Sequence, residues 1–288
     1  YPDIVSVCAA MPDGTGVADF FESYPERSFD VGIAEEHAVT FAAGLSAGGL
    51  RPVVSIYSTF LQRAYDQMLH DVCVGGYPVI FAIDRSGITG RDGRTHQGIF
   101  DISYLLSMPG MTVISPMDAT QLEEALDYAV TIQTPVAIRY PRGKAFKYAT
   151  TDGDFSGARI LKTGQEVVIF AVGDMVRNAL LASEILDKKM IRSTVVDMRF
   201  LKPFDEELVT EQAKSHKIVV TIEDGVLLGG FGQTVGAFLM EKGVKTEHFI
   251  QIGLPDEFVC HGSVDELMHK YGMDAVGIAD RIKACYYG

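Results

Sequence analysis

The chain has 288 residues, 47% hydrophobic and 22% charged, so it can bury a substantial core and is not a disordered chain. Its length predicts about two domains. A formal net charge of −13 argues against nucleic acid or an anionic membrane as the main partner, although local arginines can still bind a small anion. No apolar run is long enough to span a bilayer.

The four cysteines are spaced without any CxxC or zinc-binding pattern; they are Cys8, Cys73, Cys260 and Cys285. We therefore expect free thiols, which are typical of a reducing compartment, and a cytoplasmic location.

Strand-like and helix-like segments alternate through the first half of the chain. A short strand is predicted from Asp30, and a helix from near Ala34. The further strands are predicted at residues 52–60, 77–84, 111–116 and from 134 to Pro141, and the helices at 61–73 and 118–131, the latter with Asp118 as N-cap. This order is typical of βαβ units and of a mostly parallel sheet.

The pattern changes at residues 144–165, which are polar and weakly periodic and are predicted to be a linker. The alternation then restarts, with strands at 166–173, 193–200, 217–224 and 245–253 and helices at 178–189, 205–216 and from near Gly232. The predicted fold class is α/β, with two domains, residues 1–150 and 151–288. Each is a mostly parallel sheet flanked by helices.

The stretch "FDVGIAEEHAVTFAAGL", residues 29–45, places Glu35, Glu36 and His37 at the start of a helix rich in small residues. Acidic residues are common in a first helical turn, where the helix dipole favours them. The small residues predict close packing of this helix, however, which would partly bury a glutamate at its start. A buried carboxyl group there can share a proton with a ring nitrogen of a ligand.

A long loop, "DRSGITGRDGRTHQG", follows the apolar strand "YPVIFAI" and combines four glycines with charges of both signs. Ligands bind at the carboxyl ends of strands in open α/β sheets, and arginines suit phosphate or carboxylate groups. Asp92 and His96 are predicted to form a charge-assisted pair that can move protons. The alternative is a solvated surface loop. Arg142, in "RYPRG", follows another strand and is expected at the same edge, unless it is only a surface charge.

The glycines of "LLGGFGQTVG", residues 227–236, come close to a dinucleotide-binding fingerprint. Their spacing is one residue off, and no ribose-binding acid follows the next strand. We interpret this segment as a tight strand-to-helix turn.

With these segments in view, the chain resembles the deoxyxylulose phosphate synthases, thiamine-diphosphate enzymes of the transketolase group. The resemblance covers essentially the whole chain and is carried by "AEEH", "YSTFLQRAYDQMLHDV", "DRSGITGRDGRTHQG", "RYPRG" and "VDMRFLKPFDEELV". It implies that residues 1–150 are a pyrimidine-binding domain and that residues 151–288 are a transketolase C-terminal domain.

The resemblance also implies roles for individual residues. Glu35 matches the glutamate that bonds the aminopyrimidine ring of the cofactor, Phe60 the aromatic that stacks on that ring, and Tyr57 a residue lining the same pocket and the substrate site. Arg85, Asp92 and His96 match the group that handles pyruvate-derived intermediates, and Arg142 an arginine that contacts the phosphate of glyceraldehyde 3-phosphate. No role is implied for Glu36 or His37. Arg91 replaces the small residue expected at its position.

The implied reaction condenses pyruvate with glyceraldehyde 3-phosphate, with loss of carbon dioxide, at the start of non-mevalonate isoprenoid synthesis. Family members hold the cofactor diphosphate through Mg²⁺ on an N-terminal domain with a GDG…N signature, which this sequence lacks. We therefore expect this chain to be inactive alone and to need that N-terminal part as a domain or separate chain. The resemblance also implies a homodimer.

Three other interpretations remain. A β-type subunit of a 2-oxo acid dehydrogenase and a transketolase half share the fold and the glutamate. A non-catalytic assembly subunit is a third possibility. The loop and "RYPRG" favour the synthase, and the presence of Glu35, Arg85, Asp92, His96 and Arg142 argues against a non-catalytic role.

Overall fold

The computed structural model describes residues 1–143 and 155–288, which we call the first unit and the second unit. The predicted domain boundary near residue 150 lies outside the described residues. Each unit is a mostly parallel sheet with helices packed on it, which confirms the predicted α/β fold class. Within the described ranges, no helix is both long and apolar enough to cross a bilayer.

The first sheet has seven strands in the order β10–β5–β6–β4–β3–β1–β2, parallel except at β10. Its strands are β1 (Ile4–Cys8), β2 (Ser28–Asp30), β3 (Arg51–Tyr57), β4 (Ile80–Asp84), β5 (Thr112–Ile114), β6 (Val136–Arg139) and β10 (Phe200–Lys202). The central strands are buried on both faces, which explains their nearly continuous apolar sequences.

The second sheet has five strands in the order β12–β11–β8–β9–β7 and is parallel except for the β7–β9 pair. Its strands are β7 (Arg159–Lys162), β8 (Val167–Ala171), β9 (Ser193–Asp197), β11 (Ile218–Val226) and β12 (His248–Leu254).

Helices cover both sheets. They are α1 (Ala18–Ser23), α2 (Glu35–Ala47), α3 (Ser58–Leu61), α4 (Tyr65–Gln67), α5 (Asp101–Leu106), α6 (Ala119–Ala129), α7 (Met175–Asp187), α8 (Glu206–Ser215), α9 (Phe231–Glu241), α10 (Val264–Lys270) and α11 (Ala275–Tyr287). Asp118 caps α6 as predicted, because its carboxylate accepts a hydrogen bond from the Gln121 amide at 2.9 Å.

Two predicted elements of the first unit differ from the structure. The strand placed at Asp30 and the following residues instead ends at Asp30. The helix predicted over residues 61–73 is a succession of short turns, α3, a 3₁₀ turn, α4 and a π-helical turn at Met68–Cys73. Apolar spacing near every third or fourth residue cannot distinguish these turns from one continuous α-helix.

The predicted linker and the strand after α7 also differ from expectation. Residues 159–162 of the linker form β7, an antiparallel edge strand whose mixed exposure hides any clear alternation. The strand predicted over 193–200 ends at Asp197, and residues 200–202 form β10 on the first sheet. The second unit therefore completes the sheet of the first.

A buried ion cluster around Arg139 joins the two units. Arg139 is the last residue of β6. Its guanidinium donates hydrogen bonds to both carboxylate oxygens of Asp224, in the second unit, at 2.7 and 3.0 Å. It also donates to Asp101 at 3.1 Å, and all three side chains are buried. The fork geometry of arginine fits such a two-carboxylate arrangement.

Candidate active site

The predicted site residues of the first unit gather at the carboxyl edge of three adjacent strands. Tyr57 ends β3, Arg85 follows β4 directly, and Arg142 lies three residues beyond the end of β6. Because β3, β4 and β6 are parallel neighbours, their carboxyl ends open on the same side. This is the edge at which α/β sheets bind ligands.

Glu35 is the first residue of α2 and is only 4% exposed. Its carboxylate accepts a hydrogen bond from the Arg63 guanidinium at 2.7 Å, while the Arg63 side chain remains 54% exposed. A buried carboxylate needs such a charged or hydrogen-bonding partner, and the helix N-terminus adds to its stabilisation. Arg63 lies three residues after Phe60, so it links the start of α2 to the segment that carries the aromatic residues of the site.

Sequence reasoning gave no role to Arg63. The signal was present in "YSTFLQRAYDQ", where a cation follows Phe60 by about one helical turn. Nothing in the sequence indicated that this cation would face Glu35, which lies 28 residues earlier.

The aromatic side chains of the site form a continuous set of ring contacts. The rings of Tyr57 and Phe60 are nearly parallel with centroids 5.5 Å apart, and His96 meets Phe60 edge-on at 5.6 Å. The Arg85 guanidinium lies 3.9 Å from the centre of the Tyr57 ring, a close cation–π contact. The stack therefore brings together four of the predicted residues, on β3, the segment after it and the loop after β4.

Asp92 bridges two arginines. One of its carboxylate oxygens accepts from Arg85 at 3.1 Å and from Arg142 at 2.8 Å. The predicted Asp92–His96 pair is therefore wrong. The His96 ring instead contacts the Thr95 hydroxyl at 2.9 Å and the Phe60 ring. The loop curls so that Asp92 faces the end of β6, which sequence spacing does not show.

Glu36 and His37 lie outside this cluster. His37 is exposed and stacks on Phe41 at a centroid distance of 5.8 Å, one turn along the same helix. His37 therefore packs on its own helix, in agreement with the absence of an implied role for it. Arg91 is exposed. Hydrogen bonds from Ser263 lower the pKa of Glu266, in the second unit, and the charge of Arg91 lowers it by a smaller amount.

A cavity of about 820 Å³ adjoins the arginine pair and lies between the two units. The first unit contributes Arg85 and Arg142 to its wall, and the second unit contributes Asp174 and Arg177 at the start of α7. Burial and, after it, the neighbouring Asp224 carboxylate raise the pKa of Asp174 to about 7.

Burial also raises the pKa of Tyr57 and of Asp84, which ends β4. The Tyr57 hydroxyl is buried and has no hydrogen-bond partner among residues 1–143 and 155–288. A buried hydroxyl without a partner is unfavourable, and a ligand that accepts or donates a hydrogen bond at this point would relieve it.

These residues fit the aminopyrimidine end of thiamine diphosphate. A ring of that kind needs a carboxylate for its ring nitrogen and an aromatic face to stack on, and Glu35 and Phe60 are residues of these two types. Within the described ranges, no three His, Cys, Asp or Glu side chains are grouped to hold a metal ion.

The glycine-rich turn before α9 is closed by a carboxylate of the protein itself. Glu223 accepts hydrogen bonds from the Phe231 and Gly232 amides at 2.9 and 2.8 Å, so it occupies the helix N-terminus where a phosphate would bind. Burial raises the pKa of Glu223 to about 7 in spite of these bonds. This supports the interpretation of the segment as a strand-to-helix turn.

Comparison with known protein families gives two matches that together cover most of the chain. The transketolase pyrimidine-binding domain matches residues 1–147, and the transketolase C-terminal domain matches residues 156–278.

Two curated relatives have the same name. The 1-deoxy-D-xylulose-5-phosphate synthase of Lachnoclostridium phytofermentans is 48% identical over 97% of this chain and 45% of its own length. The synthase of Caldanaerobacter subterraneus is 47% identical over 98% of this chain and 46% of its own length. The chain thus spans a little under half the length of these relatives.

Solved structures give the same picture of the fold. A split-gene transketolase, described as an inactive β4 tetramer, superposes with a TM-score of 0.87 and 32% identity, covering 98% of this chain and 91% of that one. The transketolase of Campylobacter jejuni superposes at 0.81 with 18% identity, covering 98% of this chain and 44% of its own, a likeness of fold alone.

Proposed function

The chain belongs to the transketolase family, and from that premise we propose that it is the central and C-terminal part of a deoxyxylulose phosphate synthase. The proposed reaction joins pyruvate to glyceraldehyde 3-phosphate with loss of carbon dioxide. The identity of 46–48% to curated synthases, against 32% to the split-gene transketolase, supports the synthase over a transketolase half.

One observation carries the proposal. The segments that follow the parallel strands of one sheet carry a buried carboxylate paired with Arg63, an aromatic stack, and two arginines bridged by Asp92. The first two suit an aminopyrimidine, and the arginines suit a substrate that carries a phosphate or carboxylate group.

The residues have the following roles in this proposal. Glu35 holds and exchanges a proton at the pyrimidine ring nitrogen, and Phe60 stacks on the ring, with Tyr57 beside it. Arg85 orients the carboxyl-bearing substrate through its charge, and His96 exchanges protons with that substrate. Arg142 binds the phosphate of glyceraldehyde 3-phosphate, and Asp92 holds both arginines in place. Thiamine diphosphate, when bound, supplies the electron sink for breaking and forming the carbon–carbon bonds.

We further propose that the diphosphate and its Mg²⁺ are held by an N-terminal domain or chain. The curated relatives are roughly twice as long as this chain, which supports this division. We also propose residues 1–150 and 151–288 as the pyrimidine-binding and C-terminal domains. A homodimer and a cytoplasmic location complete the proposal, the latter supported by four free thiols.

The test is a reconstitution. Carbon dioxide release from pyruvate is measured with glyceraldehyde 3-phosphate, thiamine diphosphate and Mg²⁺, for the chain alone and after mixing with the N-terminal part of a curated relative. We expect turnover only in the mixture, and only with both substrates. Full turnover by the chain alone would refute the proposed division. A complex that forms, shown by native mass spectrometry, but accepts only a ketose phosphate donor would favour the transketolase half.

A further inference from the structure

The loop that carries Asp92 and His96 is held from within by one buried amide side chain. Gln97 is 2% exposed. Its side-chain oxygen accepts from the backbone amides of Thr89 and Gly90, at 2.7 and 3.4 Å. Its side-chain nitrogen donates to the carbonyl oxygen of Gly90 at 3.3 Å. These bonds tie the two sides of the loop together.

The same side-chain nitrogen also forms a hydrogen bond to the second unit. It donates to the carbonyl oxygen of Cys260, in the second unit, at 3.1 Å. The amide orientation follows from its surroundings: two backbone N–H groups face the oxygen and two carbonyl groups face the nitrogen, so a flipped amide would lose all four contacts. Gln97 therefore makes the loop and the second unit one hydrogen-bonded assembly.

Two glycines show how closely the loop lies on the second unit. A Cβ at Gly90 would stand 3.2 Å from the Gly262 carbonyl oxygen and 3.3 Å from the Val264 side chain. A Cβ at Gly87 would collide with the Asp224 carboxylate, which Arg139 holds in its fixed position. Both glycines have positive φ, +91° and +71°, so side chains are excluded there by conformation as well as by space.

The base of the loop is closed by backbone bonds. Gly87 and Gly98 exchange hydrogen bonds of 2.7 and 2.8 Å as an isolated antiparallel bridge. Asp92 and His96 lie in the loop between Gly87 and Gln97. Arg85 lies two residues before Gly87. The positions of these three side chains relative to one another thus depend on a loop that is closed at its base and docked at its side.

We propose that Gln97 is a positioning residue of the site, and that it fixes the loop of residues 85–98 on the second unit. The second unit would then set the geometry of the reacting groups without contributing one of the proposed catalytic side chains. The docking is a property of this chain; its effect on turnover rests on the proposed function.

The experiment is amide hydrogen exchange, read by mass spectrometry on the 288-residue chain. In Gln97→Glu the carboxylate keeps both acceptor contacts but faces two carbonyl oxygens with no proton to donate. We expect peptides covering residues 85–98 and 257–264 to exchange about 10-fold faster or more near pH 7. Near pH 5, where a buried carboxyl regains its proton and one donor, the excess over the parent should shrink.

Matched variants separate docking from general loosening. Gln121 is also a buried glutamine that bonds across the units, to Asp197 at 2.6 Å, away from the loop. Gln97→Met should speed exchange in both peptides, whereas Gln121→Met should leave them at the parental rate. Should Gln97 variants fail to fold, Gly90→Ala tests the same contact from the other side. Gly110→Ala, also at positive φ but in open space, is its control.

Two results would overturn the inference: exchange in Gln97→Glu no faster than in Gln121→Met, or acceleration confined to residues 85–98 while 257–264 stays protected. In the reconstituted enzyme, we expect Gln97→Glu to lower kcat about 10-fold with partial recovery toward pH 5, a pH effect that loss of folded protein alone would not produce. If the parent itself shows no turnover, the proposed function fails while the exchange result still decides the docking.

Discussion

Arg63 donates a 2.7 Å hydrogen bond to Glu35, an exposed cation meeting a buried anion at the first turn of α2. The pair gives a carboxyl group that is only 4% exposed a cationic partner. The bond uses carboxylate oxygen Oε2, and in the proposed function the other oxygen, Oε1, shares a proton with the ring nitrogen.

The pair gives the first prediction. Glu35→Gln in the reconstituted enzyme should lower kcat about 100- to 10,000-fold, because the proton exchange with the ring is lost. Arg63→Gln should lower it less, roughly 10-fold, since it removes one charged hydrogen bond and keeps the carboxylate. Initial rates at saturating pyruvate measure both. His37→Ala, on the exposed face of the same helix, is the control, and equal losses in all three variants would contradict the assigned roles.

The second prediction concerns the bridged arginines. Arg142→Ala should raise KM for glyceraldehyde 3-phosphate by about 10-fold or more and change KM for pyruvate little, because one charged hydrogen bond to the phosphate is lost. Steady-state kinetics with each substrate varied in turn checks this. Arg94→Ala removes an exposed arginine of the neighbouring loop and should leave both KM values near those of the parent. A rise in both KM values would argue against a phosphate contact.

The third prediction concerns the ion cluster between the units. Arg139→Met leaves Asp101 and Asp224 buried without their cation, so the free energy of unfolding should fall by about 3–5 kcal/mol. Denaturant titration followed by circular dichroism measures the change. Lys283→Ala breaks a surface pair with Asp280 and should change stability by about 0.5 kcal/mol or less. If the free energy of unfolding fell by a similar amount in both variants, the buried cluster would stabilise the fold no more than a surface ion pair does.

The fourth prediction is a pH dependence. Asp197 is buried, one of its oxygens has no partner among the described residues, and burial raises its pKa to about 7. The folded state therefore binds the proton more tightly than the unfolded state, whose pKa is about 4. The stability from this group is complete below about pH 4 and is lost as the pH rises through about 7.

Asp197→Asn cannot ionise, so its stability relative to the parent should improve by roughly 2 to 3 kcal/mol between about pH 5 and pH 8. Thermal unfolding of both proteins at the two pH values measures the difference. Asp174 and Glu223 titrate in the same range in both proteins, so their effects cancel in the comparison. A constant difference across the range would show that Asp197 is already ionised in the folded chain.

Sequence patterns were informative where one feature decides the structure. Continuous apolar segments predicted the buried parallel strands β4 and β8, and Asp118 as N-cap predicted the start of α6. β7 was missed because a half-exposed edge strand has no distinctive period. β10 was missed because its partner lies in the other unit, about 90 residues earlier in the chain.

The site shows the same division. The sequence positions predicted one shared sheet edge for five site residues, because parallel strands end on the same side. These residues are Tyr57, Phe60, Arg85, His96 and Arg142. The partners of Asp92 and Glu35 depended on how a loop curls and on which face a short turn presents. Gln97 lies in the glycine-rich loop motif, but nothing in that motif indicates its hydrogen bond to the Cys260 carbonyl oxygen of the second unit.

β10 also affects whether the first unit can be produced without the second. Phe200 and Lys202 pair with the outer side of β5, so a strand of the second unit protects what would otherwise be an open sheet edge. A chain cut down to its first unit would present the unpaired amides and carbonyls of β5 to solvent, a surface that recruits strands from other molecules. Fragments for biochemical work should therefore retain residues 200–202, because the first unit made alone is expected to aggregate.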